Sequence, residues 1–151
     1  MATTVQGLEG LQEWVGKQLG ESEPLEVTQE LVNLFADATG DHQWIHVDPE
    51  RAKTGPFGGP IAHGYFTISL APVLLAQILR VEGVAMGVNY GLNKLRFPSP
   101  VPVGGKIVLS AFLAGADEIP GGAQVTIDLT FQVQGAPKPA CVAQAVYRYY
   151  A

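Results

Sequence analysis

The stretch that decides the fold is Tyr65-Phe-Thr-Ile-Ser-Leu-Ala-Pro-Val-Leu-Leu-Ala-Gln-Ile-Leu79, which is apolar on nearly every side of a helical projection. A surface helix has one apolar and one polar face, so this pattern predicts a helix that is buried on most sides. Pro72 lies inside the stretch and is expected to bend the helix, because it removes one backbone hydrogen bond. The rest of the chain has to cover this central helix.

The second half of the chain has the patterns of β-strands. In residues 125–134, apolar and polar side chains alternate with a strict period of two, which is typical of a strand with one buried face. Further strands are expected at residues 88–97, 107–113 and 141–149. Gly104-Gly105 and Gly121-Gly122 separate strands as hairpin turns would, which predicts an antiparallel sheet. The expected fold class is α+β, with a curved antiparallel sheet wrapped around a long buried helix.

Shorter elements are expected in the first part of the chain. Residues 8–19 carry apolar side chains at helical spacing, which predicts a short amphipathic helix. Residues 24–28 predict a short strand, and Thr28 is a typical N-cap for a helix that continues to about Ala38. Glycine and proline are frequent in residues 55–64, and that segment is therefore predicted to be irregular.

The composition predicts one globular domain over residues 1–151, with 47% hydrophobic and 15% charged residues. The net charge of −5 argues against a nucleic-acid partner, because phosphate binding needs a cationic surface. The single cysteine, Cys141, cannot form an internal disulfide, which favours a reducing cytosol. The chain shows neither a signal-peptide pattern nor an apolar run of roughly 18 residues. We therefore expect a cytoplasmic protein without a membrane partner.

An acid and a base lie close together in Phe35-Ala-Asp-Ala-Thr-Gly-Asp-His-Gln-Trp-Ile-His46. On a regular helix, the five steps between Asp41 and His46 would leave their side chains about 140° apart. Gly40 ends the preceding helical pattern, so the pair is expected on an irregular turn, where both groups can converge on one small object such as a water. An acid and a base held in this way can move protons.

The surroundings of this pair favour a function, although other interpretations stay open. Trp44 and Ile45 lie between the two groups in a chain poor in charge, and partial desolvation shifts pKa values towards working pH. An aspartate after a glycine is also a common turn residue, however, and a histidine can be packed and inert. His42 competes for the catalytic role but is expected to face solvent.

His63 and Gly64 stand at the head of the central helix. Free N–H groups and the positive end of the helix dipole meet there, which suits an oxygen that gains negative charge during a reaction. Gly64 would let a ligand approach the backbone closely. The alternative is that Gly64 only eases a tight turn and that His63 is packed.

A proline-rich stretch, Asn93-Lys-Leu-Arg-Phe-Pro-Ser-Pro-Val-Pro-Val-Gly-Gly-Lys106, is expected to end one strand and start the next. Lys94, Arg96 and Lys106 could meet phosphates there, or they could be solvated strand positions. The sequence has no Gly-x-Ser-x-Gly elbow, phosphate loop, His-Glu-x-x-His or dinucleotide fingerprint. Cys141 is expected in the core. Three histidines without a cysteine or carboxylate at ligand spacing argue against a structural metal.

Three of these stretches together resemble the MaoC-like dehydratases, a family that includes the (R)-specific enoyl-CoA hydratases (hydratase 2). The stretch from Phe35 to Ala52 resembles the family signature, Pro60-Ile-Ala-His-Gly64 its second landmark, and Leu95-Arg-Phe-Pro-Ser-Pro-Val-Pro-Val-Gly104 its third. Gln43 and Trp44 replace the asparagine and proline that the family usually has. The resemblance implies the hotdog fold.

The resemblance also implies a reaction. Asp41 and His46 would hold and activate the water that adds to the β-carbon of a trans-2-enoyl thioester, and the backbone N–H of Gly64 would serve as an oxyanion-hole donor. We expect substrate contacts at Gln43, Trp44, His63 and Arg96. No metal or redox cofactor is expected, since coenzyme A, or possibly acyl-carrier protein, only carries the substrate. A homodimer is expected, because hotdog relatives usually pair through their sheets.

Two other functions fit the same features. A hotdog thioesterase would release free thiol from acyl-CoA, and a non-catalytic acyl-thioester-binding subunit would bind ligand without turnover. Neither the preferred acyl chain length nor which of Asp41 and His46 is the acid follows from the sequence.

Overall fold

An antiparallel sheet dominates the structure, a computed structural model that describes residues 2–151. The helices are α1 (Gly7–Trp14), α2 (Gln29–Thr39), α3 (Trp44–Val47), α4 (Pro49–Lys53), α5 (Gly64–Ser69) and α6 (Ala71–Leu75). The strands are β1 (Thr3–Gln6), β2 (Lys17–Glu21), β3 (Leu25–Glu26), β4 (Leu79–Glu82), β5 (Met86–Arg96), β6 (Lys106–Ile119), β7 (Gly122–Val133) and β8 (Cys141–Tyr150). The expected fold class, α+β with an antiparallel sheet around a central helical segment, is confirmed.

The main sheet has the strand order β2-β6-β7-β8-β5, and β3 also pairs with β6. Buried and half-buried residues alternate along the whole of β7, which confirms the period of two. Register shifts interrupt the ladders of β2, β5 and β6, and such bulges bend a sheet and increase its twist. The bent sheet packs its inner face on the helical segment. Separately, β1 and β4 form a small parallel pair that the sequence did not predict.

The central helix differs from the prediction in two ways. It is broken into α5 and α6, because Pro72 has no N–H for a helical hydrogen bond, and the N–H of Leu70 bonds the closer carbonyl of Thr67 at 3.1 Å. It also ends early, since Leu79 already belongs to β4. The buried side chains of this segment include Phe66, Leu74 and Leu75, but Tyr65 is 69% and Val73 55% exposed. One side of the central segment is therefore open.

Other local expectations are confirmed or corrected. The hydroxyl of Thr28 accepts a hydrogen bond from the N–H of Leu31 at 3.2 Å, so Thr28 caps α2 as predicted. The predicted helix over residues 8–19 is wrong in its second half, because a left-handed turn at Gly16 (φ 84°) ends it and β2 follows. Gly121 lies in the hairpin between β6 and β7. Gly104 does not lie in a hairpin, since β5 pairs with β8 rather than β6.

The core lies between the concave face of the sheet and helices α1, α5 and α6. Its largest fully buried side chains include Phe131, Leu11, Leu74 and Leu109. Cys141 is a free, buried thiol on β8, as expected, and burial raises its pKa to about 12. None of the helices in residues 2–151 has the length and apolar character needed to cross a membrane.

Candidate active site

The loop that carries Asp41 begins where α2 ends. Gly40 adopts a left-handed conformation (φ 84°) and its N–H bonds the carbonyl of Ala36, which closes the helix. The carboxylate of Asp41 then accepts a hydrogen bond from the N–H of Gln43 at 3.3 Å. Gln43 precedes the single helical turn α3. The predicted irregular turn is therefore present, and one carboxylate oxygen of Asp41 helps to shape it.

His46 lies on α3 and is buried. Its Nδ1 is 2.7 Å from the carbonyl oxygen of Ile61, and the N–H of Ile61 bonds the carbonyl of Ile45 at 3.0 Å. Since a carbonyl oxygen only accepts, Nδ1 is the protonated nitrogen and Nε2 of the neutral ring carries a free lone pair. The amide of Gln29 bonds the backbone carbonyl of His46 at 2.8 Å and fixes the turn from the other side. His46 is thus oriented for proton transfer through Nε2.

His63, immediately before α5, lies against His46. The two imidazole rings are stacked, with centroids 3.9 Å apart and planes at 26°, and the ring of Phe35 packs on His63 at 4.8 Å. Nε2 of His63 is 2.9 Å from the backbone carbonyl oxygen of Asp41 and so donates to it. Nδ1 is buried without a hydrogen-bond partner in the part of the chain that the structure describes. Desolvation by burial lowers the pKa of His63.

Three ionisable side chains therefore meet at one point. Ligand atoms of Asp41, His46 and His63 all lie within 4.8 Å of one another. The structure thus brings together Asp41 and His46, whose convergence the sequence predicted, and adds His63 from the next segment. Two hydrogen bonds of about 2.8 Å to a single water span about 4.6 Å at a tetrahedral angle, so a carboxylate and an imidazole at the upper end of this range can share one water.

The same three residues are the candidate metal ligands of the described residues 2–151. The sequence did not predict a carboxylate beside two histidines, because His63 is distant along the chain. The stacked rings direct their in-plane lone pairs along neighbouring, nearly parallel planes. An ion shared by both would lie out of the plane of at least one ring, and Zn²⁺–imidazole bonds of about 2.0–2.1 Å would require the rings to turn. The donor set is suitable for a metal, but its geometry is poor.

Gly64 is the first residue of α5. A Cβ atom built at this position would lie 2.7 Å from the Phe97 ring, which explains why a glycine is needed there without any unusual φ. A cavity of about 260 Å³ opens beside Gly64 and is lined by Phe57, Thr67 and Phe97 among others. The Thr67 hydroxyl is buried and has no partner within residues 2–151. A second, largely apolar cavity of about 330 Å³ lies between the central helical segment and strands β5 and β8.

The other predicted residues have different surroundings. Trp44 lies with its ring under the Arg51 guanidinium, 4.3 Å from the ring centre, and also packs on Gly55, so its position is fixed by packing. Gln43 shapes the loop through its backbone. Arg96 is exposed and donates to the carbonyl of Leu95 at 2.7 Å. The remaining histidine, His42, is exposed, as expected.

His42 bonds the carboxylate of Asp37 at 2.9 Å, which raises its pKa. Sequence reasoning missed two contacts of the site: the carbonyl of Ile61 that orients His46, and the ring of Phe97 against Gly64. Ile61 and Phe97 lie in the stretches 60–64 and 95–104 that carry the resemblance. The motifs therefore identified the segments that form the site but not the contacts between them.

A curved antiparallel sheet around a central helical segment defines a hotdog-fold protein, and a carboxylate and an imidazole lie at the head of that segment. The family model described as "MaoC like domain" matches residues 11–133. The chain belongs to this MaoC-like family.

Sequence relatives and solved structures agree with this family assignment. The chain is 54% identical over 137 residues to 3-hydroxyacyl-thioester dehydratase Z of Mycobacterium tuberculosis, covering 90% of this chain and 91% of the relative. It is similar to the solved (R)-hydratase from A. caviae, with a TM-score of 0.73, 28% identity and coverage of 88% and 94%. A solved monoamine oxidase regulatory protein from Archaeoglobus fulgidus gives a TM-score of 0.80, 28% identity and coverage of 99% and 97%.

Proposed function

We propose that this chain is a hydro-lyase, an (R)-specific enoyl-CoA hydratase that also runs in reverse as a 3-hydroxyacyl-thioester dehydratase. The observation that carries the proposal is the cluster of Asp41, His46 and His63, in which one ligand atom of each residue lies within 4.8 Å of the others; the proposal places one water between the carboxylate and the imidazole of His46. Family membership, the 54%-identical thioester dehydratase and the structural likeness to an (R)-hydratase support the same reaction.

The proposed chemistry balances with one water. The water oxygen bonds to the β-carbon of the trans-2-enoyl thioester while the alkene electron pair moves towards the thioester carbonyl oxygen, giving an enolate. A proton then bonds to the α-carbon and the electron pair returns. Asp41 and His46 act as a coupled pair that takes one proton from the water and supplies one to the α-carbon. Addition of both from the same side would follow from a single bound water.

The enolate oxygen needs a hydrogen-bond donor, and we assign this role to the backbone N–H of Gly64. This N–H stands at the head of α5, beside the cavity of about 260 Å³. The unpartnered hydroxyl of Thr67 in that cavity is consistent with a polar ligand group such as the thioester. The larger apolar cavity between the helical segment and β5 suits an acyl chain. No metal or redox cofactor takes part, and coenzyme A or acyl-carrier protein serves only as the carrier.

The test is a direct assay with crotonyl-CoA. Purified protein should lower the absorbance of the conjugated thioester, and Asp41→Asn and His46→Gln should each reduce the rate about a hundredfold or more, as expected when an acid–base group is removed. Chiral analysis should give (3R)-hydroxybutyryl-CoA. Wild-type turnover in both variants would refute the assignment.

A thiol-detecting reagent provides the control for a second activity. Release of free coenzyme A at the rate of substrate loss would indicate a thioesterase. Binding of crotonyl-CoA without loss of the conjugated-thioester absorbance and without release of free thiol would indicate a non-catalytic acyl-thioester-binding subunit. A panel of enoyl-CoA substrates of increasing length would then measure the chain-length preference.

We further propose that the active form is a homodimer that forms through β5. This strand is the last of the sheet, all but one of its residues are exposed, and within residues 2–151 no strand pairs with its outer edge. Met86, Tyr90 and Leu92 are exposed on it, and Tyr65 and Val73 are exposed on the open side of the central segment. A long, apolar edge strand invites pairing, and a second copy would extend the sheet and cover the open helix.

The buried free thiol of Cys141 supports a reducing compartment, and we propose a cytoplasmic location.

A further inference from the structure

His63 is more deeply buried than the other two ionisable groups of the site, and the proposed reaction gives it no proton-transfer role. Its side chain is 3% exposed, and its Nδ1 has no hydrogen-bond partner among the described residues. A histidine of this kind is often a packed core residue. Besides Phe35, however, His63 contacts Asp41 and His46 and directly precedes Gly64, which are all parts of the proposed machinery. This requires a different explanation.

The first contact is with Asp41. Nε2 of His63 donates to the backbone carbonyl of Asp41 at 2.9 Å. This bond ties the loop after α2 to the residue before α5, and the two segments are far apart in sequence. The other side-chain hydrogen bonds of the Asp41 loop run within its own turn or back to α2: from Gln43 to the Asp41 carboxylate, from the Asp41 N–H to the Thr39 hydroxyl, and between His42 and Asp37. The hydrogen bond from His63 therefore sets the position of the loop relative to the helix.

The second contact is with His46. The His63 ring stacks on the His46 ring at 3.9 Å and covers one of its faces, while the carbonyl of Ile61 holds Nδ1 of His46. His46 can then neither swing nor tilt towards His63. The third connection is covalent, because His63 directly precedes Gly64, whose N–H is the proposed oxyanion donor. His63 thus contacts Asp41 and His46 through its side chain and adjoins the Gly64 N–H through the backbone.

We propose that His63 is a positioning residue that holds Asp41, His46 and Gly64 in register for the hydration step, rather than a residue that binds substrate. This inference rests on the proposed function. Acid–base groups and an oxyanion donor must be aligned at the same moment, and a displacement of about 1 Å can cost about a hundredfold in rate. Loss of His63 should therefore lower kcat, while the thioester and its carrier, which this proposal places out of contact with His63, should still bind.

Two variants separate positioning from packing. His63→Phe keeps an aromatic ring against His46 and Phe35 but has no donor for the Asp41 carbonyl. His63→Gln places an amide N–H near the position of Nε2 and restores that donor without the ring. His42→Gln is the matched control, because His42 is an exposed histidine bonded only to Asp37.

The experiment measures kcat and KM with crotonyl-CoA, the Kd of the unreactive butyryl-CoA by calorimetry, and the melting temperature of each protein. We expect His63→Phe to lose about a hundredfold in kcat with the Kd changed less than threefold, His63→Gln to recover at least tenfold of that loss, and His42→Gln to match wild type.

Other results contradict the proposal. Wild-type kcat in His63→Phe would show that no donor is needed. Weaker butyryl-CoA binding that accounts for the loss would make His63 a substrate contact, and equal loss in both folded variants would make it a packing residue. If wild-type protein itself fails to hydrate crotonyl-CoA, it is the proposed function that fails, and the melting temperatures then report only on packing.

Discussion

At Gly64 the missing side chain allows the Phe97 ring to lie against the backbone of α5. Ring atoms of Phe97 would stand 2.7–2.9 Å from a Cβ at this position, closer than carbon atoms approach one another. Phe97 is 42% exposed and its ring can rotate about the side-chain bonds, so the ring can move away at little cost in stability. The ring would then change the cavity beside Gly64, which the ring also lines.

Gly64→Ala should therefore reduce kcat/KM for crotonyl-CoA about tenfold, since a misplaced side chain perturbs substrate positioning, while the melting temperature changes little. Steady-state kinetics and thermal denaturation measure the two effects. The backbone N–H is retained in this variant, so the expected loss comes from the displaced ring.

A double mutant provides the control. Phe97→Ala removes the clash, and Gly64→Ala combined with Phe97→Ala should be more active than the product of the two single effects predicts. Strict additivity would mean that the ring of Phe97 is not the cause.

At the scale of elements, the sequence predicted best where one local rule dominates. The N-cap at Thr28 and the glycine at position 40 define α2 without tertiary help, and the period of two defines β7. The central segment was predicted as one long helix because its apolar residues are nearly continuous. The missing N–H of Pro72 breaks it, and the end at Leu75 depends on pairing of Leu79 with β1, which no local pattern shows.

The placement of β5 was not predictable from its own residues. Consecutive strands usually pair, but β5 crosses to β8 and becomes an edge, and this is decided by how the sheet closes around α5 and α6. Exposure of nearly every residue along β5 follows from that position. The proposed dimer depends on this strand and on the open side of the central segment beside it.

Val88→Lys, on β5, should weaken or abolish the dimer, because a buried lysine charge in an edge-to-edge contact is costly. Light scattering at micromolar concentration should give about 32 kDa for wild type, two copies of the 16.0-kDa chain, and a lower mass for the variant.

Val15→Lys is the matched control. The two valines have nearly equal exposure, 38% for Val15 and 39% for Val88, and Val15 precedes β2 at the opposite end of the sheet. A wild-type mass of about 16 kDa, or equal effects of both substitutions, would contradict a dimer through β5.

At the scale of the whole molecule, the sequence identified the two segments of the site, the loop from Asp41 to His46 and the residues His63 and Gly64, but not the contact between them. Asp41 and His46 were predicted to converge because they lie on one loop. The stacking of His63 on His46 joins two segments separated by α4 and an irregular stretch, and it exists only after the sheet has folded around α5. The role expected for His63, a substrate contact, followed from its neighbour Gly64 rather than from its burial.

Burial of His63 also has a consequence for stability. Its folded-state pKa lies below the ordinary value of 6.5, so below about pH 6.5 the unfolded chain binds a proton that the folded chain resists. This contribution makes stability fall as the pH drops from about 6.5 towards the lowered pKa, and it vanishes above 6.5. Urea denaturation at pH 7.5 and 5.5 should therefore show a larger loss for wild type than for His63→Gln. His42, with a raised pKa, has the opposite sign but is common to both proteins.

Cys141 lies on strand β8 with its side chain buried. Its pKa of about 12 keeps it almost wholly in the unreactive thiol form at neutral pH. Maleimide dyes and spin labels react with thiolates, so the native protein offers them no competing target. A cysteine introduced on the outer surface could thus be labelled alone, and paired probes on two copies would report their separation in solution.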